Sequence, residues 1–204
     1  MSNQDSKISA LIWRARNADA AALGQLLDRY RNYLTLLART SIDVSLRGKT
    51  DASDLVQNTL LKACQRIDQF SGRTEPEIAA WLRRILANNL IDEVRRFHST
   101  EARQVSREQS LEDLLDRSTD AIGNLVPSLG SSPSHRAARR EMGVVLADAL
   151  AELNPDQREV IMLRNLEELE WNQVAASMDR SAGAVRMLWI RALKQLRPLV
   201  ESRL

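Results

Sequence analysis

The segment SAGAVRMLWIRALKQLR, residues 181–197, predicts the architecture of the C-terminal part of the chain. It begins with Ser181, a residue type that caps helices, and continues with apolar residues at three- and four-residue steps. The side chains expected to pack against a hydrophobic core are Val185, Trp189, Ala192 and Leu196. The preceding segment WNQVAASMDR, residues 171–180, predicts a shorter helix with Val174 and Met178 on its inner face.

A tight turn separates these two predicted helices, which span residues 170–178 and 181–196. Asp179 tolerates the left-handed backbone conformation that such a turn requires, and Ala175 is small enough for a close helix crossing. This spacing indicates a helix-turn-helix, whose second helix lies in the major groove of DNA. A helix pair without a DNA role fits the same pattern, because the match is degenerate on its own.

The face of the second helix that packing does not use is cationic and carries small residues. Gly183 and Ala184 would let the backbone approach DNA, where a helix N-terminus favours phosphate. Arg186 and Arg191 can bind guanine edges or phosphates, and the apolar residues between them can contact thymine methyl groups. The predicted DNA-contacting residues are Arg180, Ser181, Gly183, Ala184, Arg186, Met187, Ile190 and Arg191.

The whole chain of 204 residues is predicted to be all-α. Seven Gly and five Pro leave little for β-turns, and no segment alternates convincingly with the period of a strand. A single cysteine, Cys64, excludes an internal disulfide and suits a reducing cytoplasm. No apolar run reaches the length of a membrane span or a signal peptide. No metal-ligand cluster, glycine-rich loop or acid–base pair is present, so the sequence predicts no metal, no cofactor and no enzyme activity.

Composition divides the chain into two small helical domains, residues 1–98 and 135–204, joined by a flexible linker at 99–134. The linker is rich in Ser, Gly, Pro and acids, which is typical of an extended or disordered tether. In the first domain an apolar face runs from Leu11 through Ala18 to Leu34, and Asp51 or Ser53 can cap the next helix. The apolar positions of that helix are Leu55, Val56, Leu60, Leu61, Ala63, Cys64 and Ile67.

Proline residues mark two further helix starts. Pro76 suits the first turn of a helix, because its missing N–H costs nothing there. In the second domain Asn154 can cap a helix that begins at Pro155, and Gln157 can complete a capping box.

Charge is distributed unevenly, although the formal net charge is only +2. Residues 180–204 hold six Lys or Arg and one Glu, whereas residues 148–170 hold seven Asp or Glu and two Arg. A basic segment beside an acidic one is expected where only the basic one meets phosphates. Two solvated helix faces would give the same pattern.

Taken in order, the motifs resemble those of bacterial sigma factors of the extracytoplasmic-function group. The segment LNPDQREVIMLRNLEELEWNQVAASMDRSAGAVRMLWIRALKQLR is similar to their region four, which binds the −35 promoter element. DASDLVQNTLLKA resembles the acidic, amide-rich motif of region two that docks on RNA polymerase. AWLRRILANNLIDEVRR resembles the helix of region two that holds the melted −10 element. The resemblance covers nearly all of the chain outside the linker.

The resemblance implies roles for particular residues of the first domain. The residues implied in docking on the clamp helices of the largest polymerase subunit are Asp51, Asp54, Leu55, Gln57 and Asn58. The residues implied in binding the −10 element are Phe70, Ser71, Arg73, Arg84, Asn88, Asp92, Arg95 and Arg96. The loop 69–77 and the face with Asn88 would hold a base flipped out of the duplex, and the arginines would hold the DNA backbone.

The resemblance also implies partners. Region four would read the −35 element as duplex and bind the flap of the second-largest subunit. An anti-sigma factor is a common partner in this family, and the linker acids Glu112, Asp113, Asp116 and Asp120 would lie in a basic channel of the polymerase or remain solvated. The reading face departs from the family pattern at Ala184, where Thr is common, and at Met187 and Ile190. The promoter sequence therefore cannot be taken from the family.

Two other functions remain open from the residues. A free-standing helix-turn-helix repressor would normally dimerise to span two half-sites, and the sequence shows no additional apolar helix for that purpose. A helical protein-interaction module that binds no DNA is the second alternative, and the exposed Arg186 and Arg191 argue against it.

Overall fold

The computed structural model describes residues 3–41, 51–97 and 136–203, and all regular structure in these ranges is helical. The chain divides into two compact units, Met1–Arg117 and Ser118–Leu204. The first unit contains α1 (Asn3–Arg16), α2 (Ala20–Ser41), α3 (Ala52–Arg66), a short 3₁₀ turn (Ile67–Gln69) and α4 (Glu75–Phe97). The second contains α5 (Arg136–Glu152), α6 (Pro155–Ile161), a π-helical turn (Met162–Leu166), α7 (Trp171–Ser177) and α8 (Ala182–Glu201). The all-α prediction is confirmed.

Membrane insertion has no support in the described helices, because none combines the length and the apolar character that a bilayer crossing requires. Residues 42–50 and 98–135 lie outside the described ranges. The predicted linker, with its acidic residues, therefore falls where the structure gives no description.

A turn interrupts the apolar face that the sequence pattern predicted to continue from Leu11 to Leu34. Ala18 has a φ of 63° and is exposed, so it does not join that face. Asp19 begins α2 by accepting a hydrogen bond from the Ala22 N–H at 2.9 Å, and it also pairs with Arg14. The hydrogen bond from the Ala22 N–H, and next the one from the Arg14 guanidinium, lower the pKa of Asp19. Helical periodicity continues across the turn, which is why the sequence pattern did not reveal it.

The hydrophobic core of the first unit lies between α1, α2, α3 and α4. Its largest fully buried side chains include Tyr30, Tyr33, Leu34, Leu37, Leu55, Ile78, Leu82, Leu86 and Leu90. Burial raises the pKa of the Tyr30 phenol well above its usual range, so this group stays protonated. Leu61 and Cys64 were predicted on the inner face of α3 but are exposed, Leu61 at 58%.

Two polar contacts fix the arrangement of these helices. The Arg29 guanidinium of α2 donates to Glu75 Oε1 at 2.9 Å and so joins α2 to the first turn of α4. The Asn89 amide of α4 donates to Thr59 Oγ1 of α3 at 2.8 Å, and both residues are buried. Since buried polar groups are costly when unpaired, the second contact favours a single register between α3 and α4.

Gly72 lies in the loop before α4, and the space around it admits no side chain. A Cβ atom there would overlap the Phe70 ring and lie 2.9 Å from Glu77 Cβ. We expect Gly72→Ala to lower the free energy of unfolding of the first unit by about 1–3 kcal/mol, because the loop must shift.

Gly24 supplies the matched control for this change, because a Cβ atom there meets nothing within 4 Å and the position is inside α2. Gly24→Ala should stabilise the same unit by about 0.5–1 kcal/mol. Urea unfolding followed by far-UV circular dichroism measures both variants. Equal stability of Gly72→Ala and wild type would contradict the close packing of this loop.

Helix α6 of the second unit begins at the cap that the sequence predicted. Asn154 accepts a hydrogen bond from the Gln157 N–H at 2.9 Å, and Pro155 occupies the first position of α6. The Gln157 amide oxygen is buried without a hydrogen-bond partner among the described residues, so the reciprocal half of the predicted capping box does not form. The Arg158 guanidinium instead joins α6 to the end of α5, donating to the carbonyl oxygens of Leu150, Ala151 and Leu153 at 2.7–3.1 Å.

Helices α7 and α8 form the predicted helix-turn-helix. Asp179 has a φ of 51°, and the Ser181 hydroxyl accepts from the Ala184 N–H at 3.2 Å to cap α8. Helix α8 continues to Glu201, beyond the predicted end at 196, with Pro198 inside it. Its buried residues are Val185, Leu188, Ala192, Leu196 and Val200. Leu188 takes the core position expected for Trp189, which is only half-buried.

Candidate functional site

The exposed face at the start of α3 is rich in hydrogen-bond acceptors. Asp51 caps the helix and accepts a hydrogen bond from the Ser53 N–H at 2.8 Å, while Asp54, Gln57 and Asn58 are exposed. The N-terminus of a helix stabilises such carboxylates. Leu55 was predicted among these docking residues, but its side chain is 2% exposed and belongs to the hydrophobic core. This burial leaves little of the Leu55 side chain for a partner to contact, so its place among the docking residues stays a prediction.

A groove beside this face adds two residues from the end of α4. It has a volume of about 310 Å³ and is lined by Asp51, Asp54, Leu55, Gln57, Asn58, Glu93 and Arg96. Arg96 donates to Glu93 Oε1 at 2.9 Å on the rim of the groove. The resemblance implied Arg96 as a DNA contact but gave no role to Glu93, because only the packing of α4 on α3 places Glu93 here. The groove therefore offers carboxylates and amides to a basic or polar partner.

The loop before α4 is held in place by its own hydrogen bonds. Glu77 Oε2 accepts from the N–H groups of Arg73 and Thr74 at 2.9 Å and from the Thr74 hydroxyl at 2.7 Å. These hydrogen bonds lower the pKa of Glu77, and the bond from the Arg73 N–H has the largest effect. Phe70 is 6% exposed, and its ring lies 5.2 Å from that of Trp81. Phe70 therefore supports the loop from inside, while Ser71 and Arg73 are exposed.

One stripe of α4 carries the remaining residues predicted to bind the −10 element. Arg84, Asn88, Asp92 and Arg95 follow each other at helical spacing and are all exposed. Asp92 Oδ2 lies 3.5 Å from Lys62 Nζ, and its Oδ1 lies 3.9 Å from Arg95. The stripe presents one amide between Arg84 and the ion-paired Asp92, with Lys62 and Arg95 beside Asp92, and this combination suits contact with both a base edge and phosphates.

The structure places the predicted −35 residues together on the turn and the first half of α8. Gly183, Ala184 and Arg191 are exposed, as are Met187 at 56% and Ile190 at 51%. Arg180 forms an exposed ion pair with Asp156 at 2.5 Å, so DNA would have to compete with that carboxylate. Arg186 lies over the ring of Trp171, with its guanidinium carbon 5.6 Å from the ring centroid. The sequence gave Trp171 no role, because it stands at the edge of a short amphipathic helix.

The described residues contain no group of three or more His, Cys, Asp or Glu side chains that could hold a metal ion.

Part of each unit matches a known protein family. Residues 26–100 match the family model described as Sigma-70 region 2, and residues 149–198 match Sigma-70, region 4. Over 172 residues the chain is 33% identical to the RNA polymerase sigma-E factor of Streptomyces avermitilis, covering 81% of this chain and 83% of that protein. Over 200 residues it is 28% identical to the ECF RNA polymerase sigma factor BldN of Streptomyces coelicolor, covering 97% and 67%.

Solved structures that resemble the chain include two complexes. A chain of the RsbN–BldN complex is 22% identical with a TM-score of 0.32, covering 92% of this chain and 98% of that one. A chain of the complex of CnrH with the cytosolic domain of CnrY is 26% identical with a TM-score of 0.33, covering 95% and 97%. The sequence matches, rather than these low structural scores, establish the relationship.

Proposed function

Because the chain belongs to the extracytoplasmic-function group of RNA polymerase sigma factors, we propose how its surfaces divide the work of promoter recognition. A sigma factor is not an enzyme: it binds core RNA polymerase and directs it to promoter DNA. This assignment of separate surfaces to polymerase and DNA rests on one observation: α3 and α4 expose two chemically different faces of one unit. The face of α3 is acidic and amide-rich, whereas the stripe of α4 carries two arginines, one amide and one carboxylate.

The α3 face is the proposed docking surface for the polymerase. Asp54, Gln57 and Asn58 would meet basic and polar groups on the clamp helices of the largest subunit, with Asp51 fixing the start of the helix. Glu93 would add a third carboxylate at the rim of the groove. Charged pairs across such an interface steer the encounter and fix its register.

The loop 70–74 and the α4 stripe are the proposed −10 site. Ser71, Arg73 and Asn88 would contact an unpaired base, while Arg84 and Arg95 of the stripe, with Arg96 at the edge of the docking groove, would hold the backbone. The hydrogen bonds that Glu77 accepts keep the loop ordered before DNA arrives. An ordered pocket suits this task, because extruding a base costs a few kcal/mol that binding must offset.

The second unit would bind the −35 element and the flap of the second-largest subunit. Arg186, Met187, Ile190 and Arg191 face outward from the half of α8 that follows the turn, where the second helix of a helix-turn-helix contacts bases. With residues 1–98 as region two, 99–134 as the linker and 135–204 as region four, both elements would be read by one chain. We place the protein in the cytoplasm, where polymerase and promoter DNA are found, and propose an anti-sigma factor as its regulator.

Reconstituted transcription tests this proposal. Purified protein is added to bacterial core RNA polymerase with a library of duplex DNA in which both promoter elements are randomised, and the transcribed templates are sequenced. We expect transcripts only when the protein is present, from templates sharing two motifs at a fixed separation. Specific duplex binding by the protein alone, without stimulation of the polymerase, would instead indicate a repressor.

A further inference from the structure

Trp171 lies at the centre of an aromatic and cationic cluster within the second unit. The guanidinium carbons of Arg164 and Arg186 lie over its ring, 5.0 and 5.6 Å from the centroid. The Trp189 ring meets it edge-on, with centroids 5.6 Å apart and planes at 81°. This aromatic–arginine cluster, which also includes Asn165, joins the first helix of the helix-turn-helix to the second.

The π-helical turn before α7 contributes two members of the cluster, Arg164 and Asn165, that are held in place by hydrogen bonds. Arg164 lies within this turn and donates to the Leu169 carbonyl at 2.8 Å, so its guanidinium is anchored before it meets the ring. Asn165 lies in the same turn and accepts from Trp189 Nε1 at 2.8 Å, which fixes the second ring. Wide helical turns of this kind are often found at functional sites. Arg164 and Trp189 each contact the Trp171 ring, and both are fixed by hydrogen bonds within the unit.

Arg186 is the one member of the cluster that belongs to the exposed face of α8 predicted to read DNA. A long arginine side chain loses considerable rotamer freedom when it binds, and an arginine already held on an aromatic face loses less. A guanidinium has five N–H donors, so its contact with one aromatic ring leaves donors available for another partner. The contact with Trp171 therefore orders Arg186 without consuming its hydrogen-bonding capacity.

We infer that Trp171 is a positioning residue for Arg186, holding its guanidinium ready for the −35 duplex. This inference rests on the proposed function, in which Arg186 contacts that duplex. Trp171 acts through Arg186, so its contribution disappears when Arg186 is removed. The aromatic face carries the effect, so another aromatic residue preserves it and an aliphatic residue of similar bulk does not.

A double-mutant cycle in the holoenzyme tests the inference. The variants are Trp171→Leu, Trp171→Phe, Arg186→Ala and the combination of Trp171→Leu with Arg186→Ala. The probe is the duplex most strongly selected from the randomised library by the wild-type holoenzyme, with a second duplex whose −35 element is scrambled. The dissociation constant of each holoenzyme for both duplexes is measured at one salt concentration, because phosphate contacts make affinity salt-dependent.

The expected pattern separates positioning from structure. Arg186→Ala should weaken binding to the selected duplex roughly 5- to 100-fold, and Trp171→Leu should weaken it about 3- to 10-fold. The double variant should bind like Arg186→Ala, and Trp171→Phe should stay within about 3-fold of wild type. Binding to the scrambled duplex should be the same for all.

Two results with the Trp171→Leu substitution would overturn the inference and leave the proposed function standing. In the first, Trp171→Leu binds the selected duplex as tightly as wild type. In the second, the fold-loss of affinity in the double variant equals the product of the fold-losses in the two single variants. If Arg186→Ala itself binds the selected duplex normally, the assignment of Arg186 to the −35 element fails, and the inference fails with it. A loss in Trp171→Phe equal to that in Trp171→Leu would point to shape rather than to the aromatic face, which also rejects it.

Discussion

Asp54→Arg is expected to weaken binding to core RNA polymerase by roughly 100-fold or more, because placing a like charge opposite a basic partner costs several kcal/mol. Asp54 is exposed in the first turn of α3, among Asp51, Gln57 and Asn58. The substitution replaces an acceptor with a cation at the middle of this face. Co-elution with core polymerase on size exclusion, followed by titration with a fluorescently labelled protein, measures the loss.

Folding should not account for that loss. Asp54 has no part in the hydrophobic core, and an acid in the first turn of an exposed helix contributes only about 0.3–1 kcal/mol through the helix dipole. Glu201→Arg is the matched control, since it makes the same change of charge at an exposed i,i+4 pair with Arg197 near the end of α8. The control should bind core polymerase normally. Normal binding by Asp54→Arg would remove this face of α3 from the docking surface.

Asn88→Ala is expected to reduce opening of the −10 element about 10- to 100-fold at unchanged polymerase affinity, as expected for loss of a good base contact. Asn88 is exposed in the α4 stripe between Arg84 and Asp92, where its amide can both donate to and accept from a base edge. Alanine preserves the helix and removes only that amide. Opening is followed by 2-aminopurine fluorescence in the −10 element, and affinity by the same titration as above.

The neighbouring asparagine provides an internal comparison. Asn89 is buried and donates to Thr59 Oγ1, so Asn89→Ala should lower the free energy of unfolding by about 1–3 kcal/mol. At a temperature where Asn89→Ala remains folded, its promoter opening should be close to that of wild type. If Asn88→Ala instead loses polymerase binding together with stability, Asn88 is a structural residue and the proposed base contact is wrong.

Local chemistry made much of the fold predictable. Asp51, Asn154 and Ser181 cap their helices as their residue types suggested, and Asp179 adopts the left-handed conformation of the turn. Each of these features depends on a few consecutive residues, so the sequence contains the whole cause.

Tertiary packing set the limit of that prediction. Leu55 and Phe70 belong to motifs that the resemblance assigns to partners, yet their side chains are buried because α3 and the loop before α4 fold onto the same core. Helical period alone likewise assigned Trp189 to the core, whereas Leu188 fills that place and Trp189 turns towards Asn165. Such choices depend on neighbours that are distant in sequence.

In the π-helical turn Met162–Leu166, the number of residues affects the orientation of the following helices more than the identity of those residues does. Its backbone closes from the Glu167 N–H to the Met162 carbonyl, one residue further than in an α-helix. Deleting a single residue here would restore the ordinary ladder but rotate everything that follows by roughly 100° about the helix axis. Helix α8 would then no longer pack on α6 in its present orientation. A region-four sequence one residue shorter in this turn would need a different way to orient its reading helix, even if every remaining residue were identical.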